Sequence, residues 1–161
     1  MLKHLTVILA FLMTLSPSVM AQDFQKGLAA YNAGDYATAL QEWKPLAEAG
    51  NVVAQKKLGW MYYDGEGVLQ DYKESVKWYR LAAAQGSGDA QSSLGWMYEK
   101  GWGVIQDNTL AHMWYNLGNA NGSGITSFRD KIAKKMTPTD ISKAQAMARE
   151  CMNSGYTKCG Y

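Results

Sequence analysis

Apolar residues recur at helical spacing in two stretches of the chain. Ala54, Leu58 and Tyr62 follow one another at intervals of four residues, which places them on one face of an α-helix. The same order returns 36 residues later at Ala90, Leu94 and Tyr98. The pattern predicts two amphipathic helices at equivalent positions of an internal repeat.

The repetition extends over the whole of residues 54–88 and 90–124. Each stretch continues through a Gly-x-Gly-Val loop, a Gln-Asp pair, a Trp-Tyr pair and a closing Gly-Ser-Gly. We expect the first helix of each unit to end at Gly65 or Gly101, and Asp71 or Asp107 to cap the second helix, which stops at Gly86 or Gly122. A constant period of this length is typical of stacked helical units that share one core.

The flanking segments complete the predicted stack. A weaker unit comes first, since Asp35-Tyr36 and Trp43 match Asp71-Tyr72 and Tyr79, and a helix over 125–136 comes after. Thr137-Pro138 starts a last helix with the signature of a capping box. We therefore predict an all-α solenoid with repeats over about 24–51, 52–88 and 89–124, closed by a C-terminal cap over 125–161.

Some positions of the repeat indicate packing. Gly59 and Gly95 lie inside helices, where glycine costs about 1 kcal/mol relative to alanine. We interpret them as places where another backbone comes close. The pairs Trp78-Tyr79 and Trp114-Tyr115 are assigned to packing between units.

The motif Ala-x-x-x-Leu-Gly-x-x-Tyr-x-x-Gly-x-Gly-Val-x-x-Asp, followed by Trp-Tyr, resembles the Sel-one-like repeat, a relative of the tetratricopeptide repeat. The resemblance implies a right-handed superhelix of antiparallel helix pairs whose first helices line a concave, protein-binding surface. It associates exported bacterial members with host interaction, envelope assembly and immunity against secreted lipase toxins. One family branch is linked to β-lactam hydrolysis, but that branch has a cysteine pair in each repeat, and the repeats of this chain have none.

The N-terminal residues have the pattern of a secretory signal. Lys3 and His4 precede an apolar run over 5–15, and Val19-Met20-Ala21 ends it with small residues at the required positions. We expect cleavage after Ala21, a mature single domain over 22–161, and a periplasmic or secreted location. The alternative is a retained anchor helix, although the apolar run is too short to span a bilayer.

Charge and cysteine content narrow the class of protein. The formal charge is +2, which favours neither nucleic-acid binding nor an anionic membrane, and we expect no stable membrane insertion. Residues after 124 carry seven Lys/Arg against three Asp/Glu, which we interpret as a solvated helix face or a binding patch.

Cys151 and Cys159 are expected to form a disulfide, with a free thiol nucleophile as the alternative.

The candidate binding surface lies on the first helices. Trp60 is about 200° around the helix from Leu58, so it points away from the core stripe. Its expected neighbours on the open face are Lys56, Lys57 and Tyr63, and the next unit contributes Trp96, Ser92, Ser93 and Glu99. We hypothesise that Trp60 and Trp96 anchor a peptide; the alternative is that both pack between units. Trp102, on the second loop, either covers that loop or contacts a partner.

No motif indicates catalysis. The Gly-x-Gly loops lack a preceding strand and a phosphate-binding lysine, and His112 occupies an apolar repeat position that suits packing better than metal binding. We predict no metal and no cofactor.

The predicted function is non-enzymatic binding of an unidentified protein or peptide by a chain that is monomeric when unbound. The alternatives are a structural subunit of an envelope complex and a β-lactam or cell-wall hydrolase.

Overall fold

The structure, a computed structural model, describes the backbone of residues 17–160 and the side chains of residues 23–160. This part of the chain forms eight α-helices and no strand: α1 (Pro17–Asn32), α2 (Tyr36–Glu48), α3 (Val52–Asp64), α4 (Tyr72–Ala83), α5 (Gly88–Lys100), α6 (Asn108–Ala120), α7 (Thr126–Ala133) and α8 (Pro138–Asn153). The predicted signal peptide, residues 1–21, lies largely outside the described residues.

The helices pack in chain order. Each of α1 to α6 contacts the next helix along the chain, α7 contacts α6, and α8 folds back onto α6. The all-α solenoid with a C-terminal helix pair is therefore confirmed.

The helix ends follow local sequence signals. Asp71 and Asp107 accept hydrogen bonds from the first-turn N–H groups of α4 and α6, and Thr137 does the same for α8. Gly65 and Gly101 end α3 and α5 with φ of 76° and 71°, a conformation that residues with a Cβ rarely adopt. Some predicted ends are too long: α4 stops at Ala83, α6 stops at Ala120, and α7 covers only Thr126–Ala133.

The core confirms the packing role of the Trp-Tyr pairs. Trp78, Tyr79, Trp114 and Tyr115 are all buried. Trp78 joins the apolar cluster of the first two helix pairs, whereas Tyr79 joins the cluster that continues into the cap. The two residues of one pair thus connect successive units.

Two glycines inside helices, Gly59 and Gly95, have neighbours that differ from the prediction. Gly59 and Gly95 are indeed close-contact positions, but the neighbour is an aromatic ring rather than a backbone. A Cβ on Gly59 would lie 2.6 Å from the Tyr79 ring, and one on Gly95 would lie 2.7 Å from the Tyr115 ring.

The C-terminal cap is held by apolar contacts and a disulfide. Ala144, Ala148 and Cys151 form the buried face of α8. Cys151 is bonded to Cys159, as predicted, and both residues are buried. The tail is thereby tied to the last helix.

Candidate functional site

A groove runs along the side of the stack formed by α3 and α5. Its apolar part, here called the apolar chamber, has a volume of about 200 Å³. Five aromatic side chains line it: Trp60, Tyr63, Tyr79, Trp96 and Phe128. Ser92, Ser93, Met97 and Ile125 complete the lining. A space of this size and chemistry fits a single large apolar side chain.

The aromatic side chains of the groove form a continuous series. Ring centroids are 5.7 Å apart between Trp60 and Tyr63, and 5.7 Å apart between Tyr63 and Trp102. The series continues from Trp102 to Trp96 at 6.0 Å and from Trp96 to Phe128 at 5.4 Å. These separations lie in the range of favourable aromatic contacts, so each ring restrains the next.

A second space, the basic chamber, adjoins the apolar chamber and has a volume of about 430 Å³. The two chambers share four lining residues: Trp60, Tyr79, Ser93 and Ile125. Tyr31, Lys56, Lys57 and Asp89 are found only in the basic chamber. The two chambers together are called the groove below.

Tyr79 and Tyr31 of the groove are neutral at physiological pH. Burial raises the pKa of Tyr79 far above its ordinary value. Burial, followed by a hydrogen bond donated to Glu66 at 2.6 Å, raises the pKa of Tyr31 to about 12. These phenols therefore offer apolar rings and hydroxyl groups, and lysine and aspartate supply the charges of the basic chamber.

The structure brings most of the predicted binding residues together. Trp60 is 45% exposed, so it is available to a partner. Trp96 is half-buried against Phe128, and the Lys100 ammonium lies 4.5 Å from its ring centroid. The other predicted residues that line the groove are Lys56, Lys57, Tyr63, Ser92 and Ser93.

Glu99 does not belong to the groove, contrary to the prediction. It is only 5% exposed and accepts a hydrogen bond from the Tyr115 hydroxyl at 3.0 Å. Glu99 lies on the side of α5 that faces α6, where the Tyr115 hydroxyl donates a hydrogen bond to it. The residue is part of the packing between these two helices.

Trp102 packs against aromatic rings of other segments, and its contact with a partner stays a prediction. The ring is stacked on Tyr72 at 5.2 Å with an interplanar angle of 8°. It also contacts Tyr63 and Trp96, which line the apolar chamber. Trp102 therefore contacts two lining residues of the groove but does not line it.

Sequence reasoning missed several lining residues. Ile125 and Phe128 come from the segment that was assigned only to closing the stack. Tyr31 and Asp89 also line the groove, although neither was predicted to do so. No periodicity links these residues to the groove, since they belong to different units and meet only through packing.

His112 and the two cysteines take part in structural contacts. His112 is buried, and its Nδ1 lies 3.1 Å from the Asn116 amide nitrogen, while both cysteines are oxidised. Within residues 23–160, no three His, Cys, Asp or Glu side chains come close enough together to hold a metal ion. None of the helices in the described part of the chain has both the length and the hydropathy that a bilayer crossing requires.

Comparison with known proteins identifies the repeat. The model of the Sel1 repeat family matches residues 52–87 and 88–123. The crystal structure of c5321, described as a protective antigen present in uropathogenic Escherichia coli strains displaying an SLR fold, aligns with a TM-score of 0.79 and 25% identity. That alignment covers 85% of this chain but 31% of c5321, so the chain spans less than a third of that protein. No curated protein matches the chain.

A second solved structure is similar over nearly its whole length. The Sel1 repeat protein from Oxalobacter formigenes aligns with a TM-score of 0.58 and 32% identity, over 79% of this chain and 88% of the relative. Proteins built from these repeats generally serve as protein-interaction modules and not as enzymes. The chain belongs to the Sel1 repeat family.

Proposed function

We propose that this protein is an exported, non-enzymatic module that binds one segment of a partner protein in the groove between α3 and α5. The observation that carries the proposal is the exposed Trp60 side chain at the boundary of the two chambers. A large aromatic side chain next to an apolar cavity is the usual composition of an interface hot spot.

We expect the groove to change little when a partner binds. The aromatic series from Trp60 to Phe128 is linked through ring contacts of 5.4 to 6.0 Å. A rigid groove loses little conformational entropy when it is filled, which leaves more of the interaction free energy for affinity.

Export to the periplasm or the medium is part of the proposal. It is supported by the signal-like residues 1–21 and by the Cys151–Cys159 disulfide, because disulfides persist in oxidising compartments. The partner is accordingly sought among envelope and extracellular proteins, including toxins and host factors.

The test is affinity capture of the tagged mature chain from its native envelope and medium, with Trp60→Ala compared against Leu69→Ala. Leu69 is 92% exposed and lies outside the groove, so it controls for loss of an exposed apolar side chain. We expect Trp60→Ala to weaken binding of the captured partner by at least about 30-fold, the effect of about 2 kcal/mol at a hot spot. The Leu69 variant should retain the partner.

The alternative of a structural subunit in a larger envelope complex predicts a different result. In that case the wild-type chain would elute from native extract in one complex of fixed mass, and Trp60→Ala would elute with it. Equal recovery of partners by Trp60→Ala and wild type would contradict binding in the groove.

A further inference from the structure

Lys57 differs from its neighbour Lys56 in its electrostatic partners. The Lys56 ammonium is paired with the Asp89 carboxylate. The Lys57 ammonium lies over aromatic rings instead, 5.0 Å from the Tyr31 centroid and 5.6 Å from the Trp43 centroid. Among residues 23–160, no carboxylate oxygen lies within 4.0 Å of the Lys57 ammonium. The basic chamber thus contains a positive charge that makes no direct ion pair with a described carboxylate.

The charges that line the chamber leave an excess of one positive charge. Lys56 and Asp89 neutralise one another, and Lys57 is the remaining charged lining residue. Glu66 accepts a hydrogen bond from the Tyr31 hydroxyl but is not part of the lining. A ring face attracts a cation less strongly than a close, desolvated carboxylate does. The Lys57 ammonium can therefore form an ion pair with an anionic group of a partner.

An occupant of the groove reaches both chambers, because Trp60 forms part of both walls. On α3, Trp60 is three residues after Lys57, a spacing that places two side chains next to one another on a helix. A partner segment that lies against Trp60 is therefore next to both the apolar chamber and Lys57.

We propose that the partner segment is acidic and apolar: it places one large apolar side chain in the apolar chamber and an Asp or Glu side chain against Lys57. This inference rests on the proposed function and specifies its partner. A basic or wholly apolar segment would cover Lys57 without pairing it. Covering an unpaired charge is unfavourable, so the same lysine selects against such segments.

The test is a displayed library of random 12-residue peptides, selected on the immobilised mature protein. The enriched peptides are then measured against purified variants: Lys57→Met, Lys57→Glu, Lys57→Arg, Trp60→Ala and Lys44→Met. Lys44 is exposed and lines neither chamber, so Lys44→Met is the matched control for loss of a lysine. Circular dichroism of each variant checks that the helical fold is retained.

We expect peptides with Asp or Glu next to a large apolar residue to be enriched. Lys57→Met should weaken them about 10-fold, in the range measured when a charge-assisted contact is lost, whereas Lys57→Arg and Lys44→Met should leave them within about 2-fold. Lys57→Glu should bind the same peptides after their acidic residue is changed to lysine. Such a compensating exchange reports direct pairing, which loss of packing between Lys57 and the aromatic rings would not produce.

Two results overturn the inference in distinguishable ways. If the enriched peptides depend on Trp60 but show neither acidic residues nor sensitivity to Lys57→Met, the groove binds a different chemistry and the proposed function stands. If no enriched peptide depends on Trp60, binding in the groove and the inference fail together.

Discussion

Gly95 of α5 faces the aromatic ring of Tyr115 on α6 so closely that a Cβ would lie 2.7 Å from the Cδ1 atom of the ring. The preceding unit repeats this relationship between Gly59 and Tyr79, with a closest approach of 2.6 Å. The absence of a side chain on one helix is thus matched to a large ring on the next. This complementarity brings the two helices of each unit close together.

Gly95→Ala should destabilise the protein by about 1–3 kcal/mol, the usual effect of overpacking a core. Alanine favours the helical conformation by about 1 kcal/mol relative to glycine, which offsets only part of the clash. Chemical denaturation measures the free energy of unfolding. In the double variant with Tyr115→Leu, the two losses should be less than additive, because the smaller side chain leaves room for the methyl group. A single variant as stable as the wild type would refute the close contact.

Trp102→Ala should lower the free energy of unfolding by about 1–3 kcal/mol, since it removes a half-buried ring that stacks on Tyr72 and contacts Tyr63 and Trp96. It should also weaken partner binding, because the groove walls lose their support. Leu69→Ala removes an apolar side chain that is 92% exposed and should change stability by less than about 0.5 kcal/mol. Equal effects of the two substitutions in urea denaturation would contradict the supporting role of Trp102.

Reduction of the disulfide should lower the melting temperature. Cys151 and Cys159 are separated by eight positions in the chain, and closing a loop of this length stabilises the folded state by about 2–3 kcal/mol in the chain-entropy model. Calorimetry with and without a reductant measures the change. The variant with both cysteines replaced by alanine should melt at the lower temperature and should not respond to the reductant. An unchanged wild-type melting temperature after verified reduction would show that the bond does not stabilise the cap.

Acidification should destabilise the protein through His112. Burial, followed by the positive charge of Arg129, holds the pKa of His112 below its ordinary value of 6.5. The unfolded chain therefore binds a proton at a higher pH than the folded chain. The contribution of His112 to stability is complete above pH 6.5 and is lost as the pH falls through the lower folded-state pKa.

His112→Val tests this pH dependence, because valine occupies the equivalent position in the preceding repeat. Between pH 7 and 5.5, before most carboxylates titrate, the free energy of unfolding should decrease in the wild type and stay nearly constant in the variant. If urea denaturation shows that the free energy of unfolding decreases equally in the wild type and in the variant, the effect comes from groups other than His112.

The sequence alone determined the repeat and its local structure. Helical periodicity, left-handed glycines such as Gly65, and capping side chains such as Asp71 act within a few residues, so each can be recognised without knowing what lies opposite. The cysteine pair near the C-terminus belongs to the same category, because its members are close in the chain. The outward direction of Trp60 also follows from its angle to Leu58 on a single helix.

Only the tertiary structure decided which side chains meet across helices. It buried Glu99 against Tyr115, and it placed Phe128 of the cap opposite Trp96, so that a segment expected only to close the stack completes the groove. Periodicity defines a direction around one helix axis, but it contains no information on the distance and crossing angle between two helices. Those depend on how rings and glycines such as Tyr115 and Gly95 fit together, which is a property of the packed pair.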